Sequence, residues 1–219
     1  MRMNLTELEI RVLGCLMEKE LTTPEYYPLT LNALAAACNQ KSNRDPVLSL
    51  SELDLQRGLE ALGARGLARL TTTGGRVNKY VHSMGDKLGL AAPVRAVLAE
   101  LMLRGPQTAA ELRGRSERMA EVGDLAAVEE ILLELQQHGP PLVVRLPRQP
   151  GRKESRYAQV FAGMPEFPEE EPEQPGAAPV ARPRVGNQRL EQLEQEVGAL
   201  RDEIGELRRE VEEMLAAFS

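Results

Sequence analysis

A chain of 219 residues with no Trp, three Phe and four Tyr must build its core from aliphatic side chains, which favours helices over a deep β-sandwich. Two Cys and two His leave little material for a disulfide framework, a zinc site or a histidine-based catalytic group. The net charge of −6 is unevenly held: residues 1–89 carry 11 Lys and Arg against 10 Asp and Glu, residues 90–163 carry 10 against 9, and residues 164–219 carry 6 against 14. The acidity therefore belongs to the tail and does not exclude nucleic-acid binding by the first 163 residues.

The chain starts Met1-Arg2-Met3-Asn4 and passes directly into a periodic pattern, without the apolar stretch of a signal peptide. No apolar run approaches the roughly 20 residues of a membrane span. A soluble, cytoplasmic protein without membrane contact is expected, with Cys15 and Cys38 as reduced residues on apolar helix faces.

Thr6 with Glu9 makes a capping box, and Leu8, Val12, Cys15 and Leu16 follow at helical spacing, predicting a helix to about Glu20. Pro24 and Pro28 interrupt the chain before Thr30 caps a second helix carrying Leu31, Leu34, Ala35 and Cys38. A polar connection, Asn39-Gln40-Lys41-Ser42-Asn43-Arg44-Asp45-Pro46, leads to a third helix starting at Ser49 or Ser51, with Leu55, Leu59 and Leu62 inward. Leu67 to Leu70 and Val77 to His82 then predict two strands around a Gly74-Gly75 turn.

This order, three helices and a hairpin, is that of a winged helix-turn-helix domain, and it repeats. Helices are predicted over 93–103, from Thr108 (with Glu111 in capping-box position) to about Met119, and from Asp124 with Val128, Ile131, Leu132 and Leu135 inward. Strands over 142–146 and 155–161 flank an Arg148–Glu154 loop. From Met164 to Asn187 six prolines alternate with Glu and Ala, the composition of an extended disordered linker.

After the linker, Leu190, Leu193, Val197, Leu200, Ile204, Leu207, Val211 and Met214 recur at alternating three- and four-residue steps. Val197, Ile204 and Val211 fall at a positions and Leu193, Leu200 and Leu207 at d, the pairing that favours parallel two-stranded coils. In that register Arg189–Glu194, Glu196–Arg201 and Glu203–Arg208 attract across the dimer. A single amphipathic helix docked on the body is the other reading of the same pattern.

The expected architecture is mainly α with small β wings: two tandem winged helix-turn-helix domains (1–89 and 90–163), a Pro/Glu-rich linker (164–187) and a parallel coiled-coil helix (188–219). Catalysis finds no support, because paired carboxylates such as Glu129-Glu130 fall on an exposed helix face and those at 169–171 in the linker, without a pocket to perturb them. No phosphate loop, nucleophile elbow, metal-ligand cluster or cofactor motif is present.

Candidate nucleic-acid contacts are Asn39, Gln40, Lys41, Ser42, Asn43 and Arg44 ahead of the third helix, Arg76 and Lys79 on the first wing, and Arg148, Arg152, Lys153 and Arg156 on the second. Their cations suit phosphates, and the amides and hydroxyls suit base edges or backbone. Against them stand acidic third helices, Ser51-Glu52-Leu53-Asp54 and Asp124 with Glu129, Glu130 and Glu134. Two readings follow: a dimeric DNA-binding regulator, or a scaffold in which tandem winged helices bind another protein.

The strings Leu13-Gly14-Cys15-Leu16-Met17-Glu18-Lys19, Thr22-Thr23-Pro24-Glu25-Tyr26-Tyr27-Pro28-Leu29 and Ala37-Cys38-Asn39-Gln40-Lys41-Ser42-Asn43-Arg44-Asp45-Pro46-Val47 resemble the YceH-like family of uncharacterised bacterial proteins. Leu103-Arg104-Gly105-Pro106-Gln107-Thr108, Glu111-Leu112-Arg113 and Glu154-Ser155-Arg156-Tyr157 extend the resemblance through the second half. It implies a tandem winged-helix body followed by a coiled coil, and no catalytic residues.

Overall fold

Helix α1 (Glu7–Thr22) is the centre of the molecule in the computed structural model, which describes residues 4–71, 77–148 and 154–164. Its start is fixed as the sequence predicts: the Glu9 N–H donates to Thr6 Oγ1 (3.3 Å) and the Thr6 N–H donates to Glu9 Oε2 (2.7 Å). Every residue from Glu9 to Glu18 is buried, so α1 has no solvent face over its middle turns. A helix enclosed on all sides must have partners on all sides. They are α2 (Leu31–Cys38), α3 (Glu52–Ala64) and α5 (Ala92–Arg104).

In the first half α2 is capped by Thr30, whose Oγ1 accepts the Ala33 N–H (3.2 Å), and α3 by a Ser51/Asp54 capping box. Strand β2 (Ala68–Thr71) and β3 (Lys79–His82) form the expected antiparallel pair. A further strand, β1 (Leu29–Thr30), joins the other side of β3, giving the order β1-β3-β2 with Tyr80 opposite both Leu29 and Leu70. Two residues are too few for alternation to register in a sequence. The same holds for the short α4 (Met84–Leu88), which Gly89 ends at φ +65°.

The second half repeats the order. After α5 come α6 (Ala109–Ser116) with a Thr108/Glu111 capping box, α7 (Leu125–Gln137) capped by Asp124, and the pair β4 (Val143–Arg145) and β5 (Tyr157–Gln159). Gln107 forms an isolated antiparallel bridge with Tyr157, in the place that β1 takes in the first half. Helix α6 stops three residues short of the predicted Met119, where the Met119 N–H turns back to the Ser116 carbonyl (2.8 Å). The fold is thus mainly helical with small antiparallel sheets.

The two halves share one continuous apolar core, because α1 lies directly on α5. Gly14 permits this approach: a Cβ there would stand 3.0 Å from Met102 Cβ and 3.1 Å from Leu103 Cδ2. Backbone bonds also tie the halves together, from the Leu5 N–H to the Phe161 carbonyl (2.7 Å) and from the Asp45 N–H to the Leu103 carbonyl (2.9 Å). Cys15 and Cys38 are buried free thiols in this core. The linker from residue 165 onward and the heptad residues Leu190 to Met214 lie outside the described residues.

Candidate nucleic-acid interface

The connection from α2 to α3 runs from Asn39 to Ser51, far longer than the turn of about three or four residues in a compact helix-turn-helix. Its ends are clamped by Asn39, whose Nδ2 donates to the Leu50 carbonyl (2.9 Å) while its Oδ1 accepts the Leu50 N–H (2.8 Å). The Asn39 amide is therefore used within the loop, not offered to a base.

Arg44 departs most from the surface role expected of it. Its side chain is fully buried and its guanidinium grips both oxygens of buried Glu18, donating also to the carbonyls of Ala37 (3.1 Å from Nε and 2.9 Å from Nη2) and Asn43 (2.7 Å). An isolated charge cannot be left in such a place, so the pair and its hydrogen bonds must form together. Arg118 extends the network across the halves, reaching Glu18 Oε1 and Glu100 Oε1 at 2.6 Å each. Burial pushes the Glu18 pKa up, but the Arg44 hydrogen bond and the Arg44 and Arg118 charges outweigh it and hold the carboxyl below its ordinary range. Arg11 braces the same loop, donating to the carbonyls of Cys38 (3.3 Å) and Pro46 (2.7 Å). Arg44 is thus a structural cation, not a phosphate contact.

Of the loop's candidate contacts Lys41, Ser42 and Asn43 are exposed and Gln40 is half-buried, and the loop exposes Asp45 and Val47 as well. Asn43 takes φ +55°, and its Oδ1 accepts from Arg104 Nη1 (3.3 Å).

On the hairpins, Lys79 is half-buried in β3, and Arg148 is exposed just beyond β4. Arg156 points inward instead, donating to the Pro106 carbonyl (2.7 Å) and pairing with Glu111 Oε2 (3.3 Å), so it pins the second hairpin to the start of α6. Arg76, Arg152 and Lys153 lie outside the described residues. Two exposed cations that sequence reasoning passed over are Arg69 on β2 and Arg145 on β4. For Arg69 the available signal was strand alternation, which turns it outward beside buried Ala68; Arg145 shares its parity with buried Val143 and is exposed at the end of β4, which alternation does not predict. Arg145 and Arg148 line a cleft of about 200 Å³ with Ser155, Tyr157, the first residues of α6 and α7, and two carboxylates, Glu129 and Glu154.

The third helix of each half presents a different chemistry. On α3, Glu52, Leu53, Gln56, Arg57 and Glu60 face solvent; on α7, Leu125, Glu129, Glu130, Leu133 and Glu134 do. Leu53 is 54% exposed and Leu133 51%. A major-groove reader would carry cations and amides there. On α7 carboxylates and leucines dominate, whereas α3 sets Gln56 and Arg57 beside its acids.

Residues 5–152 match the family described as "Protein of unknown function, DUF480". The chain belongs to this family. Among its DUF480 relatives, a UPF0502 protein of Citrifermentans bemidjiense is 74% identical over the full length of both chains. One from Geotalea uraniireducens is 65% identical over 91% of each chain, and one from Geobacter sulfurreducens is 53% identical over the whole of both. The sequence resemblance is thereby supported at the level of an uncharacterised bacterial family. Among the described residues of this DUF480 chain, no helix is long and apolar enough to cross a membrane.

Proposed function

We propose that this chain is a tandem winged-helix DNA-binding protein, of the YceH-like kind, which meets the duplex backbone with its two hairpins and not with its third helices. The observation that carries this reading is the placement of exposed cations. Arg69, with half-buried Lys79, belongs to the first hairpin, and Arg145 and Arg148 to the second, while α7 turns only carboxylates, apolar groups and Gln137 to solvent. Phosphate contacts fix a protein on DNA without reading sequence, so hairpin-led binding gives affinity for generic duplex. Lys41 and Ser42 on the α2–α3 connection supply further backbone contacts.

A duplex titration tests it. With about four phosphates neutralised per protomer, affinity falls roughly a hundredfold between about 50 mM and 200 mM salt. Absence of binding at the lower salt would favour the second reading, a protein-binding scaffold, which draws its support from exposed Leu53, Leu125 and Leu133.

The heptad seam of Leu190, Leu193, Val197, Leu200, Ile204, Leu207, Val211 and Met214 supports a parallel homodimer. Two protomers double the number of hairpins per particle and raise avidity for one duplex. Light scattering at micromolar protein is expected to return twice the chain mass, and a monomer mass would remove the dimer from the proposal.

A further inference from the structure

The chain has two cysteines, and the fold sets them against each other. Cys15 lies in the middle of α1 and Cys38 is the last residue of α2; both are fully buried, and their thiols hydrogen-bond one another. The guanidiniums of Arg11 and Arg44 act on both sulfurs, with the Glu18 carboxylate opposing them at Cys15. Burial pushes the Cys15 thiol up, but the hydrogen bond from Cys38 and the two arginine charges outweigh it and hold Cys15 below the ordinary thiol range. Cys38 is pushed up, first by that same hydrogen bond and then by burial. One proton is thus shared between two sulfurs, so a nucleophilic thiolate stands beside a thiol that can follow it.

The pair also sits at a joint of the first half. The Cys38 carbonyl accepts from Arg11 Nη1 (3.3 Å), the Ala37 carbonyl accepts from Arg44, and Asn39, next in the chain, clamps Leu50. A bond made at Cys38 therefore bears directly on the connection that exposes Lys41 and Ser42. Solvent is near along the chain: Asn39 and Gln40 are half-buried and Lys41 is exposed. Helix ends open more readily than helix middles, and fraying of the last turn of the eight-residue α2 admits a molecule as small as a peroxide.

We propose that Cys15 and Cys38 are a peroxide-oxidisable dithiol, which closes to an intrachain disulfide and fixes the end of α2 with the connection behind it. The Cys15 thiolate attacks one oxygen of hydrogen peroxide; the O–O bond breaks, and the departing hydroxide takes the proton that Cys15 released and leaves as water. The Cys38 sulfur then attacks the Cys15 sulfenic acid, the S–O bond breaks, and the oxygen leaves as a second water with the Cys38 proton. Two thiols are oxidised, one peroxide is reduced, and a dithiol reductant reverses the bond. The readout is a covalent bond, so this proposal stands or falls apart from the DNA reading.

The experiment treats the full chain with a small molar excess of hydrogen peroxide at neutral pH, blocks the remaining thiols by alkylation in denaturant, and maps the peptides by mass. The expected product is a linked pair of peptides carrying Cys15 and Cys38, lighter than the two thiol peptides by two hydrogens and separated again by dithiothreitol. Cys15→Ser and Cys38→Ser are each expected to abolish it. Amides 40–42 are expected to exchange hydrogen at least about threefold more slowly in the disulfide form than in the dithiol form. A linked pair that appears only at urea concentrations that unfold the chain would make the cysteines packing residues and overturn the proposal. So would thiols left untouched, sulfinic or sulfonic acids without a linked pair, or disulfides between chains in place of the internal one. Equal exchange in the two forms would overturn the coupling to the connection.

Discussion

Arg44→Ala is expected to destabilise the protein by about 3–5 kcal/mol, the range for removing one partner of a buried ion pair. Both side chains of the Arg44–Glu18 pair are fully buried, and the guanidinium also satisfies the Ala37 and Asn43 carbonyls. Alanine leaves the Glu18 carboxylate to Arg118 and the more distant Lys19, and strips two donors from the Ala37 carbonyl and one from that of Asn43. Urea unfolding of the variant beside Lys41→Ala checks this. Lys41 is exposed three residues away and should shift stability by no more than about 0.5 kcal/mol. A loss below about 1 kcal/mol in Arg44→Ala would show that the pair contributes little. Because the Glu18 pKa is depressed in the folded state, its stabilisation is present above the ordinary carboxylate range and is lost as pH falls through the lowered value. The wild-type protein should therefore lose stability in acid more steeply than the Arg44→Ala variant.

Gly14→Leu is expected to cost about 3 kcal/mol. Leucine has a helix propensity better than glycine by about 0.8 kcal/mol, which favours the change. Overpacking, typically about 1–3 kcal/mol and more where the neighbours cannot move, opposes it. Here the neighbours are Met102 Cβ at 3.0 Å and the Leu103 side chain, both on α5, so even the first carbon forces α1 and α5 apart. Gly58→Ala on α3 is the contrast. Its added Cβ meets Leu8 Cγ at 3.4 Å and Val12 Cγ2 at 3.5 Å, ordinary contacts, and the expected result is a gain of about 0.5–1 kcal/mol. Thermal unfolding of the two variants should move the midpoint in opposite directions; a shared direction would contradict the packing account.

Element starts were legible in the sequence because a cap is a local event. Thr6 with Glu9 and Thr108 with Glu111 each close a box within four consecutive residues, and both form; for α3, where the sequence leaves Ser49 or Ser51 open, Ser51 is the cap and closes a box with Asp54. The extent of burial around α1 was only half legible. A leucine stripe shows one apolar face, while Ile10, Leu13 and Met17 are buried too, in a helix whose Gly14 meets Met102 and Leu103 of α5. The site was legible in kind and not in membership. A polar string such as Asn39–Arg44 has the composition of a surface loop, and nothing local distinguishes Lys41, which stays outside, from Arg44, which is drawn inside by a carboxylate 26 residues away. Arg156 was likewise taken from the surface by Glu111 and the Pro106 carbonyl. Conversely, Arg69 and Arg145 are exposed within strands, Arg69 at an outward position of β2 and Arg145 at the end of β4.

The most direct test of hairpin-led DNA binding is the slope of log affinity against log salt for generic duplex, measured for the wild-type chain and for Arg145→Ala/Arg148→Ala. Both arginines are exposed and lack an ion partner among the described residues, so the double variant should fold normally. The account predicts wild-type binding at low salt and a variant slope smaller by about 2, one counterion for each lost phosphate contact. An unchanged slope in the variant, or no binding by the wild-type chain at about 50 mM salt, would contradict it.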